Sequence, residues 1–217
     1  MFDSATARRL MVDGQIRTAD VTDSELLDAM ASVPRKRFVP PALAELAYAD
    51  ADLPLGGKRA MLKPMVFAKL IQAARVTGAD KVLDVGCGPG YSAAVLARLA
   101  AAIVALEEDA DLARSARDAL AAAGAKNVEV AVGPLVAGWP GGGPYDVILL
   151  DGAAEVVPDA LGRQLSADGR LLCVIGRGAA GKAMIYHRIE GHMVGRPIFD
   201  AAASFLPGFA APPAFVF

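Results

Sequence analysis

The chain has 217 residues, of which 54% are hydrophobic and 21% are charged, and its formal net charge is −2. This composition is typical of a globular protein rather than a disordered one, and the length suits a single well-buried domain. The nearly balanced charge argues against a general nucleic-acid binder, which would carry a basic surface. No apolar run approaches the roughly 18 residues that span a bilayer, and the N-terminus lacks the apolar segment of a signal peptide.

The two cysteines, Cys87 and Cys173, are far apart in the sequence and have neither metal-binding nor redox spacing. We therefore expect reduced thiols in a cytoplasmic protein. His187 and His192 are the only histidines, so a metal site built on several histidines is excluded and no metal is predicted.

Residues 1–63 are predicted to form a helical cap followed by a loop. In "TDSELLDAM", Thr22 and Glu25 have the spacing of a capping box ahead of an apolar run. A basic, proline-punctuated turn in "PRKRFVPPALAELAY" precedes another short helix. From Pro64 onward, "PMVFAKLIQAAR" predicts a mostly buried helix that begins at the proline.

From Lys81 onward, short apolar runs alternate with helical segments. The runs "KVLDVG", "AIVALEED", "VEVAV", "YDVILLDG" and "RLLCVI" are predicted strands, apolar on both faces, as in a parallel sheet covered on both sides. The tail "AMIYHRIEGHMVGRPIF" alternates and turns at Glu190-Gly191, which predicts an antiparallel edge. The fold class is α/β, a doubly wound core over residues 64–217 that forms one domain with the cap.

The stretch "LDVGCGPGYS" lies between a predicted strand and a predicted helix, where open α/β sheets bind ligands. Gly86, Gly88 and Gly90 permit positive φ and close backbone approach to a ligand. Their G-x-G-x-G spacing differs from the G-x-G-x-x-G of dinucleotide sites, which counts modestly against NAD. Cys87 is part of this turn and is interpreted as a small filler, because no base neighbours it in the sequence.

Acidic residues flank the turn. Glu107 ends the next strand, where a carboxylate can accept both ribose hydroxyls of a nucleoside, and Glu108 beside it is placed near the adenine. Asp84 and Glu107 would repel a pyrophosphate but attract a sulfonium and an α-ammonium group. Together these residues predict S-adenosylmethionine as the cofactor.

The chain also resembles the protein-L-isoaspartate O-methyltransferase family over nearly its whole length. The segment "MVDGQIRTADVTDSELLDAMASVPRKRFVPPALAELAYADADLPLG" is similar to that family's opening helices, and "VLDVGCGPGYSAAVLARL" to its cofactor loop. The resemblance implies a Rossmann-like methyltransferase fold and methyl esterification of carboxylates on damaged proteins. The partner it implies is a protein or peptide with an exposed carboxylate; neither nucleic acid nor membrane is expected.

The stretch "AMLKP" departs from the family, whose corresponding sequence is Thr-Ile-Ser-Gln-Pro with a serine associated with activity. Here Leu62 occupies the serine position, so no catalytic residue is assigned. Met61, Leu62 and Lys63 are predicted to border the substrate pocket. The neighbouring cations Lys58, Arg59 and Lys63 could orient a carboxylate, although solvated loop charges are the favoured interpretation.

A second departure follows the third strand of the core, where the family has Asp-Gly and this chain has Pro134 and Leu135. The resemblance implies that this aspartate would take the adenine amino group, which Pro134 cannot do. Pro134 and Leu135 are thus predicted to contact adenine through apolar atoms, or to leave the cofactor more weakly bound. Two alternatives to the isoaspartyl activity stay open: a methyltransferase with another acceptor, and a cofactor-binding or partner-binding protein without turnover. An NAD oxidoreductase is a more distant third.

Overall fold

The computed structural model describes residues 3–57, 59–176 and 180–211. The N-terminal region is helical, as predicted, although several of its turns are 3-10 helices. The α-helices are α1 (Ser4–Met11), α2 (Ser24–Ser32), α3 (Pro64–Ala74), α4 (Tyr91–Leu96), α5 (Ala110–Ala122) and α6 (Asp159–Gly162). A π-helical turn spans Val12–Ile16, and 3-10 turns span Arg17–Ala19, Arg35–Phe38, Pro41–Leu46, Leu135–Ala137 and Pro140–Gly142.

A seven-stranded sheet forms the centre of the molecule in the order β5-β4-β3-β6-β7-β8-β9. Its strands are β3 (Lys81–Val85), β4 (Ala102–Glu107), β5 (Val128–Val132), β6 (Tyr145–Ala154), β7 (Leu165–Ile175), β8 (Lys182–Ile189) and β9 (His192–Asp200). Strands β3 to β7 are parallel, and β8 is antiparallel to both of its neighbours. The predicted doubly wound fold with an antiparallel edge is therefore confirmed, and the strand order reverses between β3 and β6.

The sheet is covered on both faces because its central strands are apolar on both sides. One cluster joins the sheet to the N-terminal helices and to α3 and α4, and includes Leu26, Phe67, Leu149 and Ala201. A second cluster on the other face includes Leu83, Leu106, Leu150 and Phe209. No helix in the described ranges is long and apolar enough to cross a bilayer.

Two details of the N-terminal region differ from the sequence-based expectation. Asp23, rather than Thr22, caps α2, because its side chain accepts a hydrogen bond from the Leu26 N–H at 3.1 Å. Both residue types are good helix caps, so the sequence alone did not separate them. The segment before Pro64 is an antiparallel hairpin of β1 (Leu53–Gly56) and β2 (Arg59–Met61) rather than a loop.

The hairpin is tied to the start of α3. The N-terminal N–H groups of a helix lack partners within the helix, and the side chain of the N-cap residue, Lys63, does not supply one. Asp50 and Asp52 do so instead: Asp52 Oδ1 accepts from the Lys63 N–H at 2.9 Å and Asp50 Oδ1 from the Met65 N–H at 3.0 Å. These bonds hold the segment that precedes β1 to the start of α3.

Candidate cofactor and acceptor site

The glycine turn follows β3 at the point where the strand order reverses. Gly86, Gly88 and Gly90 have φ values of 82°, 54° and 93°, so all three need the positive φ for which glycine is suited. The Gly86 N–H donates to the Leu106 carbonyl at 2.8 Å, which anchors the turn to β4. Cys87 is buried, and burial raises the pKa of its thiol well above the ordinary value, with Asp84 adding to the effect. This agrees with its interpretation as a filler.

Asp84 is the second-to-last residue of β3 and is fully buried. The hydroxyl of Ser92, in the first turn of α4, donates to Asp84 Oδ2 at 2.6 Å. The other oxygen, Oδ1, has no hydrogen-bond partner among the described residues. A buried carboxylate with one open oxygen can receive a donor from a ligand.

Glu107 ends β4 and is fully buried as well. Its Oε2 accepts from the Gly88 N–H at 2.8 Å, and its Oε1 accepts from the N–H groups of Glu108 and Asp109 at 3.0 and 3.1 Å. These backbone donors fix the carboxylate at the carboxyl end of the sheet, beside the glycine turn. Glu107 therefore lies at the end of β4, as expected from the sequence, and its role in binding a ribose stays a prediction.

The prediction that Arg59 is a solvated loop charge is wrong. Arg59 is only 7% exposed, and its Nη1 lies 2.6 Å from Glu107 Oε1. Its Nη2 donates to the Gly86 carbonyl at 2.8 Å. The reason is the β1–β2 hairpin, which the sequence analysis did not predict and which folds over the turn. Lys58 lies outside the described residues.

The hairpin and the C-terminal segment pack closely on the glycine turn. A Cβ atom added to Gly86 would lie 2.8 Å from Leu206 Cδ2, and one added to Gly88 would lie 2.9 Å from Leu55 Cδ1. Beside this contact, a cavity of about 450 Å³ is lined by residues of the hairpin and of α5, with Glu108 and Pro207. A nucleoside could extend into this space next to Glu107.

The two residues predicted to contact adenine are placed differently. Pro134 is exposed after β5. Leu135 is fully buried in the second hydrophobic cluster, so its side chain belongs to the core rather than to a ligand surface. Glu108, by contrast, is exposed and lines the cavity, in keeping with its predicted place near a nucleoside.

Of the residues predicted to border the substrate, Met61 and Leu62 are 5% and 2% exposed and belong to the first hydrophobic cluster. A protein substrate could not contact the Leu62 side chain without a rearrangement. Lys63 is half-buried and is the N-cap residue of α3. The acceptor loop, residues 61–63, therefore presents mainly its backbone and Lys63 to the site.

Sequence reasoning missed Arg35 and Asp151. Arg35 is fully buried, its Nη2 donates to the Leu62 carbonyl at 2.6 Å, and its guanidinium carbon lies 4.6 Å from the centre of the Tyr91 ring. Asp151 is 5% exposed and lies in the C-terminal half of β6, directly after the pairing with β3 ends at Leu150. Burial raises the pKa of Asp151 to about 6. Asp151 could have been found from the sequence, because it is an acid at the end of the apolar run "YDVILLD". Arg35 could not, because nothing in "PRKRF" distinguishes it from the other basic residues.

These residues fit S-adenosylmethionine, the cofactor predicted from the sequence. Asp84 offers an open oxygen, the glycine turn has the required backbone conformation, and Glu107 is held in place by three backbone donors. Glu107 can bind ribose hydroxyls when Arg59 leaves or shares it, because the backbone contacts do not depend on Arg59.

Comparison with known proteins identifies the family. The profile of the family "Protein-L-isoaspartate(D-aspartate) O-methyltransferase (PCMT)" matches residues 6–206. The chain belongs to this family. A relative from Methylorubrum extorquens (strain PA1), named protein-L-isoaspartate O-methyltransferase, is 43% identical over 174 residues, or 80% of this chain and 76% of the relative. One of the same name from Gloeobacter violaceus is 39% identical over 87% of this chain and 93% of its own.

Solved structures agree with this PCMT fold. A protein-L-isoaspartate O-methyltransferase structure superposes with a TM-score of 0.79 at 23% identity, covering 93% of this chain and 66% of that one. A second, described as a putative family member from Plasmodium falciparum in complex with S-adenosyl-L-homocysteine, gives a TM-score of 0.75 at 16% identity over 91% of this chain and 96% of that one. The resemblance predicted from the sequence is thus confirmed.

Proposed function

We propose that this PCMT-family chain is an S-adenosylmethionine-dependent O-methyltransferase that esterifies carboxylates of isoaspartyl residues in damaged proteins. The observation that carries the proposal is the convergence of the glycine turn, Asp84 and Glu107 at the carboxyl ends of β3 and β4 in a chain of this family. A protein or peptide with an exposed carboxylate is the partner in this proposal. The two described thiols are unpaired and buried, which supports a cytoplasmic location.

S-adenosylmethionine would supply an electrophilic methyl group. Within the chain, Asp84 and the glycine turn would bind the amino-acid end, and Glu107 would bind the ribose hydroxyls. Arg35 would fix the acceptor loop through the Leu62 carbonyl. Leu55 and Leu206, packed over the glycine turn, would keep water from it.

The acceptor needs alignment more than activation. An isoaspartyl carboxylate has a pKa near 4, so it is ionised at neutral pH and requires no general base. Alignment and exclusion of water are then the contributions that the protein can make. Within the acceptor loop, the side chain of Lys63 could align the carboxylate, because the Lys63 N–H already donates to Asp52 Oδ1.

The proposal is tested by calorimetric titration with S-adenosylhomocysteine and by transfer of labelled methyl groups to an isoaspartyl peptide. The control peptide has the same sequence with aspartate. We expect binding of S-adenosylhomocysteine and slow methylation of the isoaspartyl peptide alone, since Leu62 offers no side-chain donor. Absence of S-adenosylhomocysteine binding would contradict the cofactor, and binding with no transfer would contradict the acceptor.

Restoring the family sequence in the acceptor loop should increase the rate. In the triple variant Ala60→Thr, Leu62→Ser and Lys63→Gln, a serine donor can again orient the acceptor. We expect methyl transfer about tenfold faster, equivalent to about 1.4 kcal/mol of recovered alignment. Because Leu62 is buried, its replacement should also lower the free energy of unfolding by about 2–4 kcal/mol.

The matched control is the triple variant with Leu62→Ala in place of Leu62→Ser, which loses the same core contacts but gains no donor. A rate increase in the serine variant alone would assign the effect to the hydroxyl. Equal rates in the two variants, with S-adenosylhomocysteine bound in both, would contradict this account of the acceptor loop.

A second candidate is methyl transfer to a different acceptor by the same cofactor site. It is favoured by one observation: the side chain at the family's serine position is an apolar, buried leucine. Methylation of cell proteins that lack isoaspartyl residues, with no activity on the isoaspartyl peptide, would support it.

A further inference from the structure

Asp151 and Asp84 lie on the same face of two neighbouring strands. Asp84 is opposite Leu149 in the parallel pairing of β3 with β6, and Asp151 follows Leu149 by two residues. Asp84 faces the side of α4, because Ser92 of that helix donates to it. The register of β6 against β7 is irregular after Leu149, but Asp151 lies on the same side, because the groups that act on it electrostatically include Ser92, Arg59 and Arg35. The two carboxylates therefore stand together at the point where the strand order reverses.

Each carboxylate has one buried oxygen that accepts no hydrogen bond from the described residues. Asp84 Oδ1 and Asp151 Oδ1 are buried and have no hydrogen-bond partner among the described residues, although Asp84 is 0% and Asp151 5% exposed. A buried polar atom without a partner is costly, and such atoms are rare outside functional sites. Two such oxygens near each other, next to the glycine turn, form a binding site for a ligand with several N–H donors.

The charges around the pair leave it negative. Of the nearby cations, Arg59 is bound to Glu107 and the Gly86 carbonyl, and Arg35 donates to the Leu62 carbonyl and stacks on Tyr91. Both also lower the pKa of Asp151, and Arg35 Nε and Nη1 and Arg59 Nε have no hydrogen-bond partner among the described residues. Glu107 and Asp52 add negative charge near the pair. The Ser92 hydroxyl is a neutral donor. A cationic ligand would therefore be favoured over a neutral or anionic one.

Protonation of the pair follows from this environment. Burial, with the charge of Asp151, raises the pKa of Asp84 well above its ordinary value, and burial raises the pKa of Asp151 to about 6. Two buried carboxylates that interact electrostatically titrate as a pair. Although Arg59 and Arg35 lower the pKa of Asp151, burial outweighs them, and without a ligand cation the pair retains a proton at pH values where an exposed aspartate is fully ionised.

We propose that Asp151 joins Asp84 in binding the α-ammonium group of the cofactor's amino-acid end, and that this ammonium replaces a proton held by the two carboxylates. The inference rests on the proposed cofactor and adds a second carboxylate to its site. In this exchange the ammonium keeps its three protons, and the carboxyl O–H bond breaks as its proton passes to solvent water or buffer.

The test is calorimetric titration of the full chain with two ligands, S-adenosylhomocysteine and 5′-methylthioadenosine, which lacks the amino-acid end. Titrations in buffers of different ionisation enthalpy measure the protons released. At pH 6 we expect release of up to about one proton per S-adenosylhomocysteine bound, and none for 5′-methylthioadenosine. Below the pKa of the pair, S-adenosylhomocysteine affinity should fall by up to about tenfold per pH unit.

Asp151→Asn should reduce this pH dependence, because it removes one titrating carboxylate and the charge that adds to burial in raising the pKa of Asp84. At pH 7.5 its affinity for S-adenosylhomocysteine should be about tenfold weaker, with unchanged affinity for 5′-methylthioadenosine. Asp118→Asn, the same change on the exposed face of α5, is the matched control and should behave as the wild-type chain. Unfolding curves establish that each variant is folded.

The outcomes separate the two proposals. Wild-type binding of S-adenosylhomocysteine with pH-independent affinity, or an Asp151→Asn variant with wild-type affinity and proton release, would overturn the role of Asp151 and leave the cofactor intact. If the wild-type chain binds 5′-methylthioadenosine but not S-adenosylhomocysteine, both the cofactor and the ammonium site are wrong.

Discussion

Arg59 forms a buried ion pair with Glu107, the residue that we propose binds the ribose. The carboxylate does not need the arginine to keep its position, because the N–H groups of Gly88, Glu108 and Asp109 already hold it. If Glu107 binds the ribose as proposed, the guanidinium competes with a ribose hydroxyl for Oε1. Its second contact, to the Gly86 carbonyl, covers another acceptor of the glycine turn.

Arg59→Met should consequently strengthen S-adenosylhomocysteine binding while weakening the fold. Methionine keeps the apolar stem but removes the competing donors, so we expect about fivefold tighter binding, consistent with loss of one competing hydrogen-bonded contact. The unpaired Glu107 should lower the free energy of unfolding by about 3 kcal/mol. Calorimetric titration and urea unfolding measure the two effects.

Arg114→Met is the matched control, since Arg114 makes an exposed ion pair with Asp111 on α5. It should change binding and stability by less than about 0.5 kcal/mol. Weaker binding in the Arg59 variant would show that the arginine contacts the cofactor rather than competing with it.

The residues of the glycine turn were predictable because glycine, aspartate and glutamate at strand ends have a direct chemical meaning. The burial of Arg59 was not predictable from the sequence. It depends on the β1–β2 hairpin, which brings Arg59 to Glu107, 48 residues further along the chain. Leu135 shows the opposite error: a residue assigned to a ligand from its place in the family pattern is part of the core. Long-range packing decided both cases.

At the scale of elements, the core strands and α3 were predictable from their apolar runs and bounding residues. The β1–β2 hairpin was missed because it is short, contains Pro54 and has an irregular register between Pro54 and Gly56. Strand signals rely on regular alternation, and proline counts against a strand. The hairpin nevertheless determines what covers the cofactor site.

The C-terminal end of α3 carries strain that a substitution can relieve. Arg75 has φ 50° and ψ 53°, a left-handed conformation that glycine adopts more easily. The guanidinium of Arg170 donates to the carbonyls of Ala74 and Arg75, so the contacts at this helix end are made to backbone atoms that any residue keeps.

Arg75→Gly should therefore raise the free energy of unfolding by about 0.5–1 kcal/mol, because the native φ becomes unstrained. The measurement is urea unfolding with far-UV circular dichroism. Arg75→Ala, which removes the same side chain without relieving the φ strain, is the control and should give no gain. Equal stabilisation in both variants would assign the effect to charge instead.

At the scale of the whole molecule, the helical cap and the sheet share one hydrophobic cluster, which extends from Met11 to Ala201. We propose that residues 1–63 and 64–217 form a single cooperative domain. The one tryptophan, Trp139, packs against the second cluster on the opposite face of the sheet. Trp139 fluorescence therefore reports on the second cluster, whereas far-UV circular dichroism reports on the helices, most of which contact the first cluster.

Urea unfolding followed by Trp139 fluorescence and by far-UV circular dichroism should thus give coincident transitions. With S-adenosylhomocysteine at about 100 times its dissociation constant, both transitions should shift together by about 2.7 kcal/mol. A helical signal lost before the fluorescence change would indicate that the cap unfolds separately.

The Arg59–Glu107 pair also has a consequence for the speed of cofactor uptake. If Arg59 must leave before ribose hydroxyls can reach Glu107, the association rate cannot rise indefinitely with ligand concentration. It should level off at the rate at which the hairpin opens, a motion of the microsecond-to-millisecond class typical of loops over active sites. In stopped-flow mixing, the plateau would then report how often the chain itself uncovers the site, and it would disappear when the arginine is removed.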